Sequence, residues 1–295
     1  MKTLSKGIVF MLLSALSFAW MAAFVRLSGD LPFLQKAFFR NLVAFLIALF
    51  LFCKKLPKIH QRNLPLHLVR SVVGTVGLLG NYYAIDRLVL SDASMLNKMS
   101  PFFAVLFSVL LLKEKLSRTR LLIIIAAFIG SILVVKPTFS NLNLGATLFG
   151  FLGGMASGLA YTTVRMLAQR GENSASIVML FSGIACLLLL PGLLASFMPM
   201  TARQWVLLLL AGTSAACGQF CITAAYTHAP AREIAVYDYS QVIFSTIIGY
   251  LLFDQVADLY SFIGYAVIIG AAILMFHYNR KRTDNLPTLS QQRTL

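Results

Sequence analysis

Long hydrophobic runs, separated by short polar segments, dominate this chain. Each run has about 17–24 residues, enough for a helix rising ~1.5 Å per residue to cross a hydrocarbon core ~30 Å thick. The pattern predicts an all-α integral membrane protein with ten transmembrane helices. They fall at roughly residues 7–25, 34–52, 68–86, 92–112, 120–136, 146–164, 176–197, 204–226, 234–253 and 259–278.

Composition and charge support a membrane protein. The chain is 59% hydrophobic and 12% charged, and a soluble domain of this size could not cover such a composition with polar surface. The net charge of +15 comes mostly from basic residues on the side of the N-terminus, where we count Arg70, Arg120, Arg165 and Arg232. This bias predicts cytoplasmic termini in a bacterial inner (plasma) membrane. It also predicts attraction to membrane lipid, and no nucleic-acid partner.

Two internal similarities predict a duplicated architecture. At an offset of 140 residues, Asp238 stands where Lys98 stands in the earlier copy, and the first and sixth runs align Trp20 with Tyr161. We therefore predict one five-helix unit over residues 1–140 and a second over 141–280. Because five is odd, the second unit would be inverted in the membrane, a plan that recurs in secondary transporters with a site at the interface. Residues 281–295 are predicted to form a polar, disordered cytoplasmic tail.

Three stretches of the sequence resemble one membrane-protein family. FFRNLVAFLIALFL, LNKMSPFFAVLFSVLLLKEKLS and YDYSQVIFSTIIGYLLFDQV are similar to the EamA group of drug/metabolite transporters, and the resemblance covers residues 7–278. It implies ten helices around a central cavity and metabolite transport by alternating access. It also points to Arg40, Tyr237, Asp238 and Tyr239 as site residues.

Two charges inside predicted spans are candidate site residues, since a charge at such depth costs at least ~3 kcal/mol. Lys98, beside Asn97, is roughly 10 Å from one membrane edge and either binds an anionic group or snorkels outward. Asp238 is about 9 Å from the other edge and is either a proton acceptor or a structural hydrogen-bonding group. Counting residues from the two edges places these side chains ~10 Å apart along the membrane normal, so a direct salt bridge is not assured.

Further candidates come from the other spans. Arg40 would clamp a carboxylate or anchor its helix at the interface. Trp20, Tyr82 and Tyr161 would flank a flat or apolar substrate, or only pack. Gln219 is a candidate polar contact.

Catalysis finds little support in the sequence, and no catalytic residue, metal site or cofactor is predicted. The histidines lack ligand spacing, and we find neither a nucleophile elbow nor a phosphate-binding loop. The predicted function is a secondary transporter, not an enzyme. It would move a small amino-acid-like, zwitterionic or anionic solute, with proton coupling or exchange. An intramembrane lipid-modifying enzyme and a channel or scaffold are the alternatives, and a homodimer is compatible with the sequence.

Overall fold

A computed structural model describes residues 2–87, 96–135, 143–254 and 258–284, and within these ranges the secondary structure is helical, without strands. The predicted unit boundary at residue 140 and residues 285–295 of the predicted tail lie outside the described residues. The helices are α1 (Lys2–Leu27), α2 (Phe33–Lys55), α3 (Leu64–Arg87), α4 (Ser100–Leu112), α5 (Arg118–Val135), α6 (Leu144–Gln169), α7 (Ser174–Ala195), α8 (Ala202–His228), α9 (Ala231–Asp238), α10 (Ser240–Phe253) and α11 (Leu259–Asp284).

Six described helices are long and apolar enough to cross a membrane by themselves: α1, α2, α6, α7, α8 and α11. The prediction of an all-helical protein with several spans is therefore confirmed. The other four predicted spans fall on helices that carry charge or are interrupted. Helix α3 contains Arg70, α5 begins with two arginines, α4 has only 13 described residues, and α9 and α10 divide one predicted span.

Both interrupted segments break at equivalent places. Helix α4 starts at Ser100 with Pro101 in its first turn, where the missing backbone N–H of proline costs nothing. Helix α9 ends at Asp238, and α10 starts at Ser240, whose hydroxyl donates to the Tyr237 carbonyl at 2.6 Å. Lys98 therefore lies just before one break and Asp238 at the other. Since α4 packs against α9, the two breaks are brought together.

The main packing contacts join the first half of the chain to the second. Helix α1 lies against α8, α2 against α7, α3 against α6, and α5 against α11. The α3–α6 contact is close because glycines face each other: a Cβ at Gly80 would come within 2.8 Å of the Gly153 Cα. Gly158 of α6 allows the same close approach to α4, because a Cβ added to this glycine would lie 2.8 Å from the backbone nitrogen of Ala104. Small residues thus permit the close backbone approach typical of membrane helices.

We predict that Gly158→Ala destabilises the protein by about 1–3 kcal/mol, because its methyl group would press on the backbone of α4, which cannot move aside alone. Thermal unfolding in detergent should show a lower Tm. Gly270→Ala is the matched control, since no atom lies within 4 Å of a Cβ built there. Equal Tm changes in the two variants would contradict the packing described for α4 and α6.

Candidate functional site

A charged cavity lies where the helix breaks meet. It holds about 750 Å³ of space between atoms, counting its opening to solvent. Its walls come from both halves of the chain. Seven sequence-predicted residues line it: Arg40, Tyr82, Asn97, Lys98, Tyr161, Gln219 and Asp238.

The Lys98 ammonium and the Asp238 carboxylate form an ion pair across this cavity. The distance from Lys98 Nζ to Asp238 Oδ2 is 3.7 Å, and the same ammonium donates to Gln241 Oε1 at 2.6 Å. Each of the two charged residues is 7% exposed. The separation of ~10 Å predicted from residue counting is therefore wrong. That count treated each span as an unbroken helix and left out the packing of α4 on α9, which brings the two breaks together.

Arg40 also belongs to the cavity. It is 6% exposed, and its guanidinium lies 6.0 Å from the centre of the Phe18 ring and beside the Tyr82 hydroxyl. Its Nε is buried without a hydrogen-bond partner. Arg40 is thus held by aromatic groups while part of its donor fork is unused.

Arg70 is a site residue that sequence reasoning missed. It was counted with the basic residues of the inner face, whereas the structure buries it to 2% exposure in the cavity wall. Its guanidinium lies 4.0 Å from the centre of the Phe181 ring, and it donates to Gln219 Oε1 at 3.4 Å. A Cβ at Gly74 would overlap this guanidinium. The glycine one turn after Arg70 was the signal in the sequence, since it leaves room for the side chain to fold along its own helix.

The described residues of the cavity carry a net positive charge. Three basic side chains and one carboxylate among them line it. The Tyr161 ring stacks on Tyr226 with centroids 5.5 Å apart, and its hydroxyl is within electrostatic range of Asp238, Arg70 and Arg40. The charged groups therefore surround one shared space.

Three predicted residues lie away from this space. Trp20 stacks on Phe24 where α1 meets α10. The Tyr237 hydroxyl donates to the Ala272 carbonyl at 3.2 Å, and Tyr239 is fully buried against Phe128. These aromatics pack helices together.

Comparison with known proteins now decides the family. The sequence profile described as the EamA-like transporter family matches residues 5–136 and 144–277. This chain belongs to the EamA-like transporter family.

Named relatives of this transporter are themselves transporters. It is 32% identical over 275 residues to a pseudopaline exporter of Pseudomonas aeruginosa strain UCBPP-PA14, a match that spans 92% of this chain and 96% of the relative. It is 27% identical to a riboflavin transporter of Brucella anthropi, over 83% of this chain and 88% of the relative. A crystal structure with a TM-score of 0.78 and 14% identity covers 94% of this chain and 98% of its own, which shows a shared fold.

A second group of charges lies at one end of this transporter, where α4 and α6 end and α5 and α9 begin. Glu114 is 3.4 Å from Arg232 and 3.9 Å from Arg165, and Arg120 is 3.2 Å from Glu233. From the sequence, these arginines were expected only to orient the protein in the membrane. The structure shows ion pairs that connect the first half of the chain to the second.

Glu172, in the loop between α6 and α7, connects the two halves at a further point. Its carboxylate accepts from Asn63 Nδ2 at 2.7 Å and from the His60 backbone at 3.1 Å, and His67 Nε2 is 3.3 Å away. Burial by itself would raise the pKa of Glu172. The hydrogen bonds from Asn63 and His60, together with the nearby His67 ring, outweigh that effect and lower the pKa below its usual value of 4.5.

We predict that Lys98→Met and Asp238→Asn each lower the free energy of unfolding by roughly 3 kcal/mol, because each leaves one buried charge without its partner. The double variant should lose clearly less than the sum of the two. Denaturant unfolding in micelles gives all four values of the cycle. Additive losses would show that the pair contributes no coupling.

We predict that the stability lost in Glu172→Gln depends on pH. Since the folded-state pKa of Glu172 is lowered, its contribution is present above the unfolded-state pKa and disappears as the pH falls through the folded value. The Tm difference from wild type should be large at pH 7 and shrink below about pH 4.5. Asp254→Asn, at an exposed helix end, is the control and should show a small difference at every pH. A Glu172→Gln difference independent of pH would contradict this account.

Proposed function

We propose that this protein is a secondary carrier of the bacterial inner membrane. It moves a small anionic or zwitterionic metabolite by alternating access. The observation that carries the proposal is the positively charged cavity between the two halves of the chain, at paired helix breaks. Membership of the EamA-like family and the names of the relatives support transport and suggest a role other than catalysis.

The two halves are proposed to be inverted five-helix repeats, giving ten spans in all. The family profile matches each half separately. In the two proposed repeats, α1 corresponds to α6 and α3 corresponds to α8. Exchanging these helices turns the α1–α8 contact into the α6–α3 contact, so the packing supports the same division. Likewise, α4 packs on α6 just as α9 and α10 pack on α1. Such an arrangement allows one half to rock against the other around a fixed central site.

Lys98 and Asp238 provide a means of coupling the solute to a proton. A solute anion entering the cavity competes with Asp238 for the positive charge there, which includes the Lys98 ammonium 3.7 Å from Asp238. Protonation of Asp238 removes that competitor, so proton binding and anion binding favour each other at this pair. Arg40 and Arg70 supply the remaining positive charge.

The end of the molecule that carries Glu114, Arg120 and Arg232 is proposed to be cytoplasmic, together with both termini. Its ion pairs connect the two halves and would hold the cavity closed on that side. Opening towards the cytoplasm would then require these pairs to separate. This motion would be matched by closure at the opposite end.

Uptake in proteoliposomes tests the proposal. We expect saturable uptake of a labelled anionic or zwitterionic metabolite, stimulated by unlabelled solute on the opposite side and dependent on pH. Asp238→Asn should keep exchange but lose its pH dependence, because the proton-accepting carboxylate is gone. Asp254→Asn, the same substitution at an exposed position, should behave as wild type.

Other outcomes would overturn parts of the proposal. Flux that neither saturates nor responds to solute on the opposite side would indicate a channel. Conversion of a membrane lipid would indicate an enzyme. Normal pH dependence in Asp238→Asn would rule out its role as the coupling group.

A further inference from the structure

We infer that the cavity takes a solute with two separate anionic groups, one held by Arg40 and the other by Arg70. This inference rests on the proposed transport function and specifies the class of solute. It comes from the partners of the four described charged side chains that line the cavity.

Lys98 is already neutralised. Its ammonium has the Asp238 carboxylate at 3.7 Å and the Gln241 amide oxygen at 2.6 Å. A solute anion could bind Lys98 only by displacing Asp238 or after Asp238 is protonated. The resting positive charge of the cavity therefore belongs to the two arginines.

Neither arginine has an acidic partner among the side chains that the structure describes, which exclude Asp86 and residues 88–95. Arg40 and Arg70 are 6% and 2% exposed, and the Nε of each is buried without a hydrogen-bond partner. Burying an unpaired guanidinium costs several kcal/mol even after relaxation. A planar carboxylate is the group that matches the vacant donors of a guanidinium.

The two guanidiniums are anchored separately. Arg40 projects from α2 onto Phe18 and Tyr82, whereas Arg70 projects from α3 onto Phe181 and Gln219. Both line the same cavity as Tyr161, so they face one space from different helices. Two fixed positive groups on different walls favour a solute that carries one anion at each end.

Apolar side chains in the cavity wall fit a solute with a short apolar spacer between its two anionic groups. Phe18, Met21, Leu78 and Phe181 supply apolar surface around the cavity. A chain of a few methylene groups could lie against these side chains while both carboxylates are bound. A solute with one carboxylate would leave one arginine without its counterion.

Thermal unfolding in detergent tests this inference directly. The probes are sodium succinate, glutarate and adipate, compared with sodium butyrate and sodium chloride at equal ionic strength. At least one dicarboxylate should raise the Tm and bind at least about tenfold more tightly than butyrate, which forms only one of the two charge-assisted contacts.

Variants then assign the two ends of the solute. Arg40→Gln and Arg70→Gln should each reduce the preference for dicarboxylate over butyrate to about twofold or less, since either change removes one anion site. Arg203→Gln is the matched control, because that arginine is exposed in the first turn of α8, and it should keep the full preference. Arg40→Lys and Arg70→Lys retain the charge and should show an intermediate preference for dicarboxylate over butyrate. They provide the same test if a glutamine variant fails to fold.

Each result decides between clear alternatives. Equal stabilisation by butyrate and the dicarboxylates would overturn the two-anion inference, as would unchanged preference in both glutamine variants. If dicarboxylates have no effect but proteoliposomes show saturable exchange of another solute, the inference fails and the transport function stands. If exchange is also absent for every solute, the transport function itself fails.

Discussion

Lys98 and Asp238 face each other inside a bundle of apolar helices, and much of the architecture follows from keeping two such charges there. Holding either charge in a low-dielectric interior without its partner would cost several kcal/mol. The 3.7 Å contact follows from the packing of α4 on α9, which brings Lys98, just before α4, beside Asp238, the last residue of α9. The breaks at Ser100 and Ser240 therefore accompany the ion pair, and the cavity opens beside them.

Charges in this protein occur in two different environments. At the end where α5 and α9 begin, Arg120 pairs with Glu233 and Arg232 pairs with Glu114, and both pairs connect the two halves. In the cavity, Arg40 and Arg70 contact aromatic rings and amides but no carboxylate among the described residues. The first group contributes to holding a conformation. The second retains positive charge that no described carboxylate neutralises, which is the property expected of the proposed anion site.

Helix packing brings these environments together without a large apolar driving force, because lipid is as apolar as the helix surfaces. Close contact between α3 and α6 depends on the glycines at positions 80 and 153, and the contact of α6 with α4 depends on Gly158. The approach of α6 to α4 also carries Tyr161 to the cavity wall. Small residues thus determine which larger side chains share the cavity.

The sequence alone determined the helical class and the membrane environment, because length and apolarity are properties of single segments, and it indicated the family through three stretches that resemble the EamA group. It also singled out Arg40, Lys98 and Asp238, since a charge within an apolar run is visible without a structure.

Only the tertiary structure decided which of these side chains meet. Counting residues placed Lys98 and Asp238 too far apart, because the depth of a residue along one helix does not show where another helix is interrupted. Arg70 looked like a surface charge because its position near the start of α3 hides the direction of its side chain, which Gly74 and Phe181 determine. Nothing in the sequence distinguished Tyr161 from the other candidate aromatics, Trp20, Tyr237 and Tyr239. In the structure these three face neighbouring helices, because the packing partners of each helix fix its rotation.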